Sequence, residues 1–78
     1  LKRNHLRIEI SRHAFDRANR RSIPIELVFN AVKTGKIKIM GKNRAKIEKE
    51  FRKFTIICVD EFCRNTLKIV TVEKRMKK

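Results

Sequence analysis

The chain has no tryptophan, no tyrosine and only five phenylalanines, which removes most of the aromatic platforms on which single-stranded bases stack. Recognition of nucleic acid would have to rest on cations and backbone instead. No apolar run approaches the ~20 residues that span a bilayer, and no apolar stretch behind the basic N-terminus resembles a signal peptide. No membrane association is expected, and the reading is a cytoplasmic protein. The two cysteines, Cys58 and Cys63, are too close in sequence to staple much of a fold, and a reducing compartment would keep them as thiols. One proline and two glycines act as punctuation, with no linker, repeat or low-complexity block. The expectation is a single domain over residues 1–78, with its core from about residue 10 to residue 73 and basic ends.

Acidic residues are the other scarcity. Eight Asp and Glu stand against 22 Lys and Arg, a net charge of +14 that attracts polyanions and repels further copies of the chain. A hydrophobic fraction of 41%, in short patterned runs, still argues for a packed core over disorder despite 38% charge. The excess is uneven: residues 1–22 carry seven basic and two acidic side chains, 23–34 one of each, and 35–53 eight basic and two acidic. A polyanion would therefore meet the first helix and the strands after Gly35, and little of what lies between.

Leu6 to Ile10 alternates and allows a short first strand or an extended lead-in. Ser11 is a good N-cap, which predicts a first helix from about Arg12 to Arg21. Ser22 and Ile23 make a turn, and Pro24 suits the first position of a second helix, where its missing N–H is no loss. Glu26 is favourable near the positive end of that helix. Ile25, Val28, Phe29 and Val32 share one face of it, and it should end after Thr34 with Gly35 in a left-handed conformation. Beyond Gly35, "KIKIM" and "RAKIEKEF" alternate as two antiparallel strands around a "GKN" turn. Phe54 to Val59 is an apolar, β-rich run, expected to be a central strand covered on both faces and to bury Cys58. Asp60 to Asn65 should return the chain into a final strand, "TLKIVTVE". The expected class is α+β: two N-terminal helices packed on a small curved antiparallel sheet of three to four strands, with another face left open.

The stretch "SRHAFDRANRRS" carries the chemistry. On a helical wheel His13, Arg17 and Arg20 fall within about 60 degrees of one another, with Arg21 slightly further round. Ala14 and Ala18 face the presumed core, so the basic group would line a groove beside the packed surface. Metal-independent cleavage of RNA needs a group to move the 2′-hydroxyl proton, cations for charge developing on phosphorus, and an acid for the leaving oxygen. His13 suits base or acid, since imidazole titrates near neutral pH. Arg17 and Arg21, with Arg20 and Arg44, would clamp the phosphate, because guanidinium binds phosphate bidentately. Thr71 supplies a hydroxyl that can orient an oxygen. Arg12, Arg20, Lys42, Arg44 and Lys46 are the expected nucleic-acid contacts. The plain alternative is that His13 is a surface histidine and Arg20 and Arg21 are last-turn cations favoured by the helix dipole.

The string His13-Ala14-x-x-Arg17-x-x-x-Arg21-Ser22-Ile23, with Val28, Gly35 and the terminal "IVTV" containing Thr71, resembles the domain-of-unknown-function family 4258, which looks like a branch of the RelE-like ribonuclease toxins. The resemblance runs from about Ile10 to Val72. It implies a barnase, EndoU, colicin and RelE type of fold and RNA cleavage without a cofactor, with His13, Arg17, Arg21 and Thr71 matching the presumed active-site pattern. Ser22 stands where that family commonly has glycine, and Glu73 follows the final strand where an aromatic residue is common.

A toxin of this kind needs neutralising, and an acidic antitoxin segment folding onto the basic surface is the physical solution. RNA, free or on the ribosome, is the other expected partner. Two alternatives belong to other classes. In a noncatalytic RNA- or ribosome-binding module, the same arginines bind phosphate and His13 is incidental. DNA binding through a helix-turn-helix is less natural, because the second helix offers mainly Glu26, Asn30 and Lys33. A zinc site from His5, His13, Cys58 and Cys63 is disfavoured by the core position expected for Cys58.

Overall fold

Local signals set most element boundaries. A computed structural model describes residues 6–77, in the order β1 (Arg7–Ile10), α1 (Arg12–Arg20), α2 (Ile25–Thr34), β2 (Lys36–Ile39), β3 (Arg44–Glu50), β4 (Phe54–Cys63) and β5 (Thr66–Met76). The Ser11 hydroxyl accepts from the Ala14 N–H at 3.0 Å, so it is the N-cap of α1. At the other end Ser22 takes a left-handed φ of 56°. Its N–H donates to the Asn19 carbonyl at 3.2 Å, and the Ile23 N–H donates to the Ala18 carbonyl at 2.8 Å. This is the Schellman arrangement, with Ile23 buried beside Ala18. The helix stops there, one residue earlier than expected.

Pro24 is the N-cap of α2 and not its first helical residue. Gly35 also departs from expectation, since its φ of −75° is extended and not left-handed. Crowding explains the glycine. A Cβ at Gly35 would lie 2.5 Å from the Ala31 carbonyl oxygen, 2.7 Å from that of Glu48 and 2.9 Å from Ile47 Cγ2. The missing side chain lets the end of α2 rest directly on β3.

The strands form one sheet in the order β1-β5-β4-β3-β2. The expected α+β class holds, but the sheet has five strands and is mixed: β1 runs parallel to β5, and the other pairings are antiparallel. The difference is the Leu6 to Ile10 stretch. Its alternation becomes a strand because β5 gives it an edge to pair with, Arg7 opposite Thr66 through Ile10 opposite Ile69. Asp60 and Glu61, expected in a turn, continue β4, which reaches Cys63 before Arg64, at a φ of 57°, reverses the chain.

Ala14 and Ala18 of α1 and Val28, Ala31 and Val32 of α2 pack on Ile47, Ile56, Cys58, Leu67, Ile69 and Val72, all buried. The alanines let α1 approach β5 closely. β4 is central, as expected, but covered on one face only: Ile57 and Val59, on the face away from the helices, are half-buried. Opposite Val59 and Asp60 the register shifts, pairing them with Thr71 and Ile69 and leaving Val70 as a bulge in β5.

Candidate functional site

α1 takes over along β5 where β1 ends. The bulge at Val70 brings two successive carbonyls to that edge, and Ser11 meets both. Its N–H donates to Ile69 at 2.9 Å and its hydroxyl to Val70 at 3.2 Å. One turn further on, Arg17 Nε donates to the Val72 carbonyl at 3.0 Å, and its Nη2 forms an ion pair and hydrogen bond with Glu73. Arg17 is half-buried, its stem beside the alanine seam. The two bonds fix the plane of a guanidinium, a group otherwise held loosely by its rotamers.

Arg17, Arg20 and Arg21 together line a shallow depression of about 310 Å³ at the C-terminal end of α1. With Glu73 against Arg17, the corner keeps a surplus of positive charge. Arg17 and Arg20 lie in the last turn of the helix, where its dipole favours cations. His13 stands one turn before Arg17 on the same flank and is exposed. Thr71 is half-buried on β5, next to the Val72 carbonyl that Arg17 grips. Of the expected helical cluster, Arg17, Arg20 and Arg21 are brought together, His13 stands outside their depression, and Thr71 is on the strand that holds Arg17.

The remaining predicted contacts lie elsewhere. Arg12 is exposed and 3.6 Å from Asp16. Lys42 is in the exposed β2–β3 turn; Arg44 and Lys46 are on β3, separated from β5 by β4. Arg44 pairs with Glu61 at 3.1 Å, and Lys46 with Glu48 at 3.2 Å. Arg44 therefore does not join the Arg17 clamp. Glu73 was not anticipated as part of the site. It lies within β5 and not after it, and it is the one carboxylate on that strand, the signal that could have marked it as a partner for an arginine.

Asp60 is the other residue the sequence did not disclose. It is fully buried, and neither carboxylate oxygen has a hydrogen-bond partner. Burial pushes its pKa up to about 7. The Cys58 thiol is pushed up to about 12, by burial first and by Asp60 second, so it is not a nucleophile at neutral pH. Cys63 is exposed, at the end of the same strand. Odd spacing puts it on the face opposite Cys58, so the two do not converge on a common metal position. His5 lies outside the described residues.

No helix among the described residues is long and apolar enough to cross a membrane, which leaves strands unaddressed. Comparison with known proteins gives no match: no family model fits the chain, and no curated protein or solved structure is detectably similar to it.

Proposed function

We propose that the chain is a toxin-type RNA endonuclease that cleaves without a metal ion, using His13 for proton transfer and Arg17, Arg20 and Arg21 as a phosphate clamp. The observation that carries this reading is the shared depression of the three arginines with Arg17 held in one orientation by Val72 and Glu73. A guanidinium fixed in advance can stabilise charge developing on phosphorus without reorganising at the moment of reaction. In the reaction the ribose 2′-oxygen attacks phosphorus as its proton is taken. The bond to the 5′-oxygen breaks, and that oxygen gains a proton, with His13 serving one of the two transfers. The ends left are a 2′,3′-cyclic phosphate and a 5′-hydroxyl. Thr71 orients a phosphate or ribose oxygen from β5. The resemblance to the domain-of-unknown-function family 4258 points the same way, and an acidic antitoxin would cover the same corner.

The test is incubation of RNA with wild type, His13→Ala and Arg17→Ala in EDTA, followed by mapping of the ends. Cyclic-phosphate ends are expected with wild type and should disappear with His13→Ala. A second reading, a noncatalytic RNA- or ribosome-binding module, is favoured by one feature: His13 is exposed and does not line the arginine depression. Under that reading clean wild type leaves RNA intact, and His13→Ala binds it as tightly as wild type.

A further inference from the structure

The strand register sorts the open face of the sheet into rungs, because residues directly opposite one another share a face. One rung reads Glu9, Lys68, Glu61, Arg44 from β1 to β3. Another reads Glu73, Ile57, Glu48, Lys36 from β5 to β2. Between them lies the rung Thr71, Val59, Lys46, Lys38, which carries no carboxylate of its own. It starts at the β5 segment that holds Arg17 and ends over a depression of about 320 Å³ lined by Lys36, Ile37, Lys38, Lys46 and Glu48.

Lys38 and Lys46 are directly opposite each other, and like charges in that relation cost stability. Lysines on an edge strand discourage pairing with other chains, which accounts for Lys38 on β2. That does not account for Lys46 facing it from β3. The ion pair of Lys46 with Glu48 is exposed and weak, so a phosphate can displace it. A polyanion laid along the rung relieves the repulsion.

We propose that a single strand of RNA crosses the open face along the Thr71, Val59, Lys46 and Lys38 rung, from the Arg17 corner to the depression at Lys38 and Lys46. This rests on the nuclease reading of that corner and names the form of its substrate. One phosphate sits on the arginines, the riboses and bases that follow lie over Thr71 and Val59, and a phosphate further along the strand meets the two lysines. With strand spacings of about 4.8 Å, the distance from Thr71 to Lys38 is about 14 Å. The flanking rungs are only about 7 Å away on either side. A duplex is wider than that, so its backbones would fall across Glu61 and Glu48 or Glu73; a lone strand avoids them.

The experiment measures anisotropy of labelled oligouridine, and of a duplex of equal length, against wild type, Lys38→Gln/Lys46→Gln and the off-rung control Lys33→Gln/Lys53→Gln. Folding of each is checked by circular dichroism, and cleavage of the same oligouridine is followed in parallel. The rung variant should bind oligouridine about tenfold more weakly than the control, with a salt slope shallower by about 0.7, for the one phosphate that the two lysines no longer neutralise. Wild type should prefer the single strand. Equal binding by rung variant and control, with cleavage intact in wild type, would overturn the path and leave the nuclease reading standing. Equal or tighter duplex binding, or polyglutamate competing as well as oligouridine, would overturn the single-strand assignment. Wild type that neither binds nor cleaves oligouridine would overturn both.

Discussion

Ser22 occupies a backbone position that L-residues adopt at a cost. Its φ of 56° closes α1, and its N–H and that of Ile23 satisfy carbonyls of the last turn. Ser22→Gly should therefore stabilise the fold by about 0.5 to 1 kcal/mol, the left-handed penalty being partly offset by the added freedom of the unfolded chain. Chemical denaturation should show a higher midpoint at unchanged slope; a lower midpoint would mean the serine makes an interaction that compensates. Gly35 teaches the converse. A glycine after a helix reads from sequence as a left-handed cap, yet here contacts with Ala31, Ile47 and Glu48 demand it. Backbone conformation at a turn is local and legible, whereas what crowds a residue depends on the fold around it.

At the scale of elements, α1 was legible because capping, alanine spacing and arginine periodicity all lie within one short stretch. What α1 does was not, because it depends on the register of β5. The bulge at Val70 turns a carbonyl toward Ser11, and the same strand brings Val72 and Glu73 to Arg17. Nothing in "TLKIVTVE" marks the bulge, and nothing in "LRIEI" names β5 as a parallel partner. The arginine edge of α1 could thus be read from sequence, while the residues that orient Arg17 could not. Ser11 joins the two levels, serving as helix cap and as the link from β1 to the edge of β5. Ser11→Ala should cost about 2 kcal/mol, roughly half from the cap and half from the Val70 carbonyl left without its donor. Amide exchange should accelerate in α1 and β1 together, with β3 and β4 unchanged. Acceleration confined to the first turn of α1 would show that the link to β5 carries no stability.

For the whole molecule, a charge of +14 makes electrostatics the main variable in solution, and Asp60 lets one buried contribution be separated from the rest. Adjacent to Glu61, it looks from sequence like part of a polar turn; in the fold it is inside, opposite Ala45 and Ile69. The unfolded chain releases its proton near the ordinary 3.8 and the folded chain near 7. Between these values the folded state binds more protons, so the Asp60 contribution is fully present below 3.8 and disappears as pH rises through about 7. The loss amounts to at most about 4 kcal/mol. Asp60→Asn is neutral throughout and should lack this dependence, so its stability relative to wild type should rise steadily across that interval and level off above it. The general repulsion among the cations is common to both proteins and cancels in the difference. Added salt should therefore shift both curves while leaving the gap between them intact, since buried charge is screened far less than surface charge. Parallel pH curves for wild type and Asp60→Asn would show that the carboxyl finds a partner or water in solution.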